Sequence, residues 1–175
     1  LWAREPRGYY ADITWVGYAG ETAPDRHQRV FQAVIAARDR GFDAIRDAYA
    51  AGRRLAGYEV DRAARDFLGE AGYGEYFSHR LGHSLGRQVH ANTAHLDDLE
   101  TRDTRQLVEG LGFTIEPGVY LPDFGVRSEV DVYFDQNGPR LTTAAQREIV
   151  PIGPGLADRW VRYAPRPREQ AGGAR

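Results

Sequence analysis

Gly112-Phe113-Thr114-Ile115-Glu116-Pro117-Gly118-Val119-Tyr120-Leu121-Pro122-Asp123-Phe124-Gly125-Val126-Arg127-Ser128-Glu129-Val130-Asp131-Val132-Tyr133-Phe134 divides into three strand-like runs, Gly112 to Ile115, Gly118 to Leu121 and Val126 to Phe134. Each is rich in β-branched and aromatic residues and bounded by Gly or Pro. Asn137-Gly138 follows as a tight-turn signal, and Arg140-Leu141-Thr142 begins a last short strand. The anomaly lies in the acids. Carboxylates are depleted in strands, yet Glu116 closes the first run and Glu129 and Asp131 interrupt the third. Singly, each is explained by an outward-facing strand position. Buried together they would be prohibitive unless cations neutralised them.

Upstream of this stretch, Tyr9 to Gly17 reads as another strand, with Asp12 embedded in it. Thr22 is a candidate N-cap, and Pro24 is tolerated in the first turn of the helix that follows. From His27 to Ala51 apolar residues recur at helical spacing through Val30, Val34, Ala37, Gly41, Ile45 and Ala48, and Gly41 on that stripe predicts a close helix–sheet contact. A second helix is predicted from Glu59 to Ala71, closed by Gly72. Residues 72–90 are dense in Gly and His, with Val89 at a short strand, and residues 91–110 read as a long polar loop with a turn of helix. Past Pro151 the chain is rich in Pro, Gly and Arg and is expected to be a flexible tail over 153–175. One strand, two helices and then a mainly antiparallel set of strands argue for an α+β fold.

Composition narrows the chemistry. The chain has 175 residues, a formal net charge of −2 and 42% hydrophobic residues, so nothing draws it to nucleic acid. All 23 basic residues are Arg, and their scatter suits a coding bias better than a phosphate site. With no Cys, thiolate ligands and nucleophiles are excluded, and any metal must be held by oxygen and imidazole. No apolar run reaches the ~20 residues of a membrane span and no signal peptide is evident, so no membrane partner and a cytoplasmic location are expected. The chain begins with Leu1 and lacks Met, so it is expected to be processed or a piece of a longer protein.

The histidines fall in Ser78-His79-Arg80-Leu81-Gly82-His83-Ser84-Leu85-Gly86 and Val89-His90. His79 and His83 are four apart, as in the zinc-protease pair H-E-x-x-H. Arg80 replaces the general-base Glu, and Gly82 and Gly86 disfavour a helix, so that motif is rejected.

These histidine blocks, then Phe113-Thr114-Ile115-Glu116-Pro117-Gly118-Val119-Tyr120 and Gly125-Val126-Arg127-Ser128-Glu129, occur in the order found in the pita-bread metallopeptidases: aminopeptidase P, prolidase and methionine aminopeptidase. Tyr10-Ala11-Asp12-Ile13-Thr14 resembles their Asp-x-Thr segment, and Leu141-Thr142 with Glu148-Ile149 their closing strands. The resemblance spans residues 1–152. It implies a pita-bread (creatinase/aminopeptidase) fold, with a curved antiparallel sheet and helices on its outer face, present in part. It further implies two divalent metal ions, Mn²⁺ by the aminopeptidase P branch, with Co²⁺ or Zn²⁺ suited to the same donors. By the resemblance, Asp12 and Glu129 bridge both ions and His83 and Glu116 are terminal ligands of one. A metal-bridging hydroxide is the nucleophile, Glu116 shuttles the proton, His90 contacts the scissile carbonyl, and His79, Tyr120 and Arg127 orient ligands and substrate. The implied reaction is hydrolysis of Xaa-Pro bonds by a metallo-exopeptidase, aminopeptidase or dipeptidase, on a peptide with proline at the second position. Relatives are often dimers, so a homodimer is also implied.

Three departures qualify it. The family's first Asp falls at or before Leu1, so the second ion is expected to lack a ligand and the piece alone to be inactive. Trp15 stands where Arg is usual after Asp-x-Thr, and Ala91 follows His90 where many members carry an acid. The rival reading is a metal-free pita-bread relative, a creatinase-like hydrolase or a binding module.

Overall fold

The computed structural model describes residues 1–153. It opens with an antiparallel hairpin of β1 (Trp2–Arg4) and β2 (Tyr10–Asp12), in which Trp2 faces Asp12. The polar stretch between them turns where Gly8 N donates to Glu5 O at 3.0 Å. The strand expected over Tyr9 to Gly17 is therefore two. Its second part is β3 (Gly17–Ala19), which runs parallel to β10 (Val150–Ile152), a strand that begins one residue past the Glu148-Ile149 expected in a closing strand. The chain changes partner between them because the Gln146 side chain takes over. Its amide accepts from Val16 N and donates to Val16 O, both at 2.7 Å, in place of a neighbouring strand.

Helix α1 (Asp25–Ala50) starts two residues before the predicted boundary and buries the whole predicted stripe. Thr22 is not its cap. The N-cap position is Pro24, which makes no side-chain capping bond, and Asp25 in the first turn complements the helix dipole. At the other end Gly52, at φ +69°, allows Gly52 N to reach Tyr49 O and Arg53 N to reach Ala48 O. Helix α2 (Gly57–Glu70) starts two residues earlier than predicted because Glu59 reaches back to Ala56 N at 2.7 Å. It closes at Gly72 as expected, with Tyr73 N donating to Leu68 O. The two helices pack on each other, and α1 lies across the sheet at Gly41. A Cβ there would stand 3.2 Å from Leu81 and 3.4 Å from Ile115, the close approach foreseen for this glycine.

The main sheet has the order β4 (Ser84–Leu85), β5 (Gly112–Ile115), β8 (Val130–Asp135), β9 (Gly138–Leu141), antiparallel throughout. A separate hairpin joins β6 (Gly118–Tyr120) to β7 (Gly125–Arg127). The run Val126 to Phe134 is thus two strands. It breaks at Ser128 and Glu129, where Ser128 Oγ accepts from the buried Arg38 of α1 and Glu129 N donates to Thr14 O. The strand expected from Arg140 begins at Gly138. Val89 lies in a bend closed by Gly86 N to Gln88 O and is not in a strand. No helical turn occurs in 91–110. Two buried carboxylates organise that loop instead: Asp97 accepts from the amides of Leu99, Glu100 and Thr101, and Asp103 from those of His95 and Arg105. Helix, antiparallel sheet and hairpins make the molecule α+β, as the sequence order implied. No described helix is long and apolar enough to cross a membrane. The expected tail falls, from residue 154 on, outside the described residues.

Phe31, Phe113, Phe134, Leu81, Leu96 and Ile115 are completely or almost completely buried between helices and sheet. A tight backbone approach lies at Gly82, which exchanges both backbone bonds with Leu96. A Cβ on Gly82 would lie 2.1 Å from Thr114 O and 2.8 Å from Thr114 C, an overlap that only backbone movement relieves. Gly82→Ala is therefore expected to cost about 1–3 kcal/mol of stability. Denaturant unfolding measures this as a lower midpoint at constant m-value, and an unshifted midpoint would show that β4 and β5 can part freely.

Candidate metal centre

Four carboxylate and imidazole groups reach one point from four places in the chain. Asp12 ends β2, His83 precedes β4, Glu116 follows β5 and Glu129 sits in the break between β7 and β8. One ligand-type atom each of Asp12, His83 and Glu129 lies within 4.8 Å of the others, and all three residues are buried. Glu116 Oε1 stands 3.3 Å from His83 Nε2, and Asp12 Oδ2 stands 3.6 Å from the same nitrogen. They line a cavity of about 370 Å³ together with His79, His90 and Arg127.

Two threonines set the carboxylates. Thr114 Oγ1 accepts from His83 N at 3.0 Å and donates to Glu116 Oε1 at 3.1 Å, fixing a backbone and a side chain of the site with one hydroxyl. Thr14 Oγ1 donates to Glu129 Oε2 at 2.6 Å. The Thr of the Asp-x-Thr segment therefore serves Glu129, 115 positions away, and not the adjacent Asp12. Glu129 Oε1 is buried and, among the described residues, has no hydrogen-bond partner.

The electrostatics of this arrangement are adverse without a cation. Burial and the neighbouring Glu129 push the Glu116 carboxyl up to about 8, in spite of Arg127 Nη1 at 3.4 Å from Oε2. Burial also raises Asp12 and Glu129 above the usual carboxylate range. His83 is drawn down to about 4, chiefly by desolvation, so its ring is neutral near pH 7. Its Nδ1 lies 3.2 Å from Ser84 O and must carry the proton to make that contact favourable. The Nε2 lone pair then faces the Asp12 and Glu116 oxygens at 3.6 and 3.3 Å, a repulsion wherever those carboxyls are ionised. A divalent ion among these atoms turns each repulsion into a ligand bond, and it also gives Glu129 Oε1 its missing partner. Hard oxygen donors with one imidazole suit such an ion, so the residues present fit the group that the sequence implied.

The remaining expected residues surround these four. His90 is exposed to the cavity and meets His83 edge-on, ring centroids 4.3 Å apart. His79 Nδ1 lies 2.7 Å from Arg80 O, which leaves its Nε2 to accept from Tyr120 O–H at 3.3 Å. Burial and the nearby Arg127 lower His79 to about 4, and the Arg127 guanidinium lies 5.7 Å from the Tyr120 ring. Three contributors were not anticipated. Thr114 was read only as a strand residue. Asp131 was noticed as a misplaced acid without a role, and it accepts from Asp12 N at 3.1 Å while burial lifts its carboxyl to about 7. Arg38 was hidden on a helix and anchors Ser128 beside Glu129 at 2.7 Å. Only Asp131 gave a signal, its acidity within an apolar strand.

Comparison with known proteins agrees with this geometry. The family model for metallopeptidase family M24 matches residues 3–136. An Xaa-Pro dipeptidase of Pyrococcus furiosus is 35% identical over 144 residues, 81% of this chain and 38% of that protein. The solved structure of dipeptidase PepE from Mycobacterium ulcerans superposes with a TM-score of 0.73 at 32% identity, covering 87% of this chain and 38% of that one. That of an X-Pro aminopeptidase from Thermotoga maritima gives 0.68 at 36% identity, covering 82% and 38%. The chain thus spans well under half the length of these relatives. Its fold is the corresponding part of the pita-bread architecture. With a family match across most of its length and the candidate metal-holding group of Asp12, His83 and Glu129 inside that match, the chain belongs to metallopeptidase family M24.

Proposed function

We propose that the protein is a divalent-metal-dependent exopeptidase that hydrolyses Xaa-Pro peptide bonds. The observation that carries this reading is the convergence of Asp12, His83 and Glu129 in a buried cleft, with Glu129 Oε1 unpartnered among the described residues. Asp12, His83, Glu116 and Glu129 would hold the divalent metal, with Mn²⁺ the expected ion. When bound, the metal supplies Lewis acidity at the scissile carbonyl and a hydroxide nucleophile at neutral pH. The names of the Pyrococcus and Thermotoga relatives support proline as the residue after the cleaved bond.

The chain's own groups supply the rest. Glu116, held by Thr114 on one oxygen and Arg127 on the other, is placed to take the proton of the attacking water and deliver it to the leaving amine. His90 is exposed on the cavity wall, where a ring N–H can donate to the carbonyl as charge develops on it. Tyr120 and His79 steady each other and give Arg127 a surface to lie on.

Two outcomes are expected. With Mn²⁺ supplied, the full-length parent of this chain is expected to release the first residue of an Xaa-Pro peptide, and Glu116→Gln to lower that rate by about 10²–10⁴-fold. Cleavage that survives both a strong chelator and this substitution would remove the metallopeptidase reading. The second outcome concerns stability without metal. Glu116 and Asp131 have raised pKa values in the folded state, so their contribution is fully present below the unfolded carboxylate range and is lost as pH climbs through about 7 to 8. His83 and His79 are depressed to about 4, so their contribution grows from there to about 6.5 and is constant above. Between pH 6.5 and 8.5 only the carboxylates act, and the metal-free Tm falls. Mn²⁺ at a hundredfold excess over its Kd restores about 2.7 kcal/mol, measured by calorimetry at pH 8. A metal-free Tm that rises over this interval would show that the acids are not crowded as described.

A further inference from the structure

Most arginines among the described residues are matched to an acid, as Arg26 is to Asp123, Arg62 to Asp98 and Arg65 to Asp61. Three that are not meet away from the metal cleft. Arg4 at the end of β1, Arg7 in the turn that follows and Arg87 in the bend before His90 line one cavity of about 330 Å³. Pro6 and Gly8 complete its wall, which carries no acid. Glu5, the acid of the same turn, is exposed and forms no ion pair with any of the three among the described residues. Positions 4, 7 and 87 are scattered in the sequence, and only the fold gathers them.

Their donors are largely uncommitted. Arg4 Nη1 donates to Arg87 O at 2.8 Å, and its guanidinium lies 5.0 Å from the Tyr10 ring. The guanidiniums of Arg7 and Arg87 have no hydrogen-bond, ion-pair or ring partner among the described residues. The backbone that carries them is fixed. Tyr10 N donates to Gly86 O at 2.9 Å, Gly86 N to Gln88 O at 3.1 Å and Gly8 N to Glu5 O at 3.0 Å. Two turns bonded to each other therefore hold three positive side chains around one concavity. All three are exposed, so packing does not require them there, and like charges so placed repel one another.

We propose that Arg4, Arg7 and Arg87 form a binding site for a phosphate group, either inorganic phosphate or the monoester of a small molecule. The inference lies outside the peptidase reading and does not depend on it. A phosphate monoester carries a charge of about −1.5 to −2 at neutral pH and three acceptor oxygens. Each guanidinium stays charged and offers a planar fork to such oxygens. A single carboxylate is satisfied by one fork and leaves the other two arginines uncompensated. The site also has a place in the architecture. A phosphate held by all three would join the hairpin whose second strand ends in Asp12 to the bend that leads into His90, and both of those residues line the metal cleft.

The test is calorimetric titration of the full chain at constant low ionic strength, without added Mn²⁺ because that ion itself binds phosphate. Inorganic phosphate, phenyl phosphate and acetate are the titrants. Phosphate is expected to saturate at one per chain with a Kd on the order of 1 mM or below, and acetate to bind at least about tenfold more weakly. Arg7→Gln and Arg87→Gln each weaken phosphate by about tenfold, and the double variant loses it. Both side chains are exposed and unbonded, so the variants keep the Tm of the unaltered protein in phosphate-free buffer. Tighter binding of phenyl phosphate than of inorganic phosphate identifies the ligand as an ester, and the reverse order identifies it as the free ion. A titration of the unaltered protein that does not saturate overturns the proposal, as does equal affinity for phosphate and acetate. Saturable binding that survives in the double variant puts the phosphate at other arginines and is equally fatal. Should the double variant fail to fold, the single variants decide, and unchanged affinity in both removes the site.

Discussion

The structure is organised around a repulsion. Asp12, Glu116 and Glu129 bring carboxylates into a cleft where burial already disfavours charge, and the free lone pair of His83 faces two of them at 3.3 and 3.6 Å. Each acid is held in place by a hydroxyl, a guanidinium or a strand. Thr14 holds Glu129, while Thr114 and Arg127 hold Glu116. The fold supplies rigidity around negative charge, and the compensating positive charge is left to come from a cation.

That rigidity is built from polar contacts that reach outward from the site. Arg38, almost wholly buried on α1, donates to Ser128 Oγ and to Gln146 O, and Gln146 spans Val16 N, Val16 O and Glu148 O. One helix, two strand breaks and the C-terminal strand are thereby joined through a glutamine that acts like a short piece of sheet. On the other side, Asp61 and Arg65 tie α2 to the segment between Phe77 and Leu81. Both helices therefore position ligand-bearing backbone, and their hydrophobic stripes are only half of what they contribute.

The reading from sequence went furthest where periodicity was strong or chemistry was out of place. The stripe from Val30 to Ala48, the close contact at Gly41 and the end of α2 at Gly72 followed from spacing and from glycine. The acids within apolar runs pointed to Asp12, Glu116 and Glu129, and family resemblance added His83, His90, His79, Tyr120 and Arg127, all of which lie in or beside the cleft. The failures share a cause. Splitting Tyr9 to Gly17 and Val126 to Phe134 into separate strands depends on Gln146, Arg38 and Thr14, each distant in sequence from the break it makes. Thr22 looked like a cap, but Pro24 took that position. Thr114 gave no local signal for its role, since that role exists only once the chain has closed on itself.

The break at Ser128 and Glu129 has a topological meaning as well. Glu129 meets Thr14 through a side chain and a backbone bond, so the two extreme quarters of the described chain are stitched together at the place where a cation would sit between Asp12 and Glu129. An ion held there is a clasp across positions 12 and 129. It closes a loop of 117 residues (129 minus 12) that encloses both helices and most of the sheet. The entropy withheld from the unfolded chain by such a closure grows with the logarithm of loop length, so one small ion shapes the folding landscape of nearly the whole molecule.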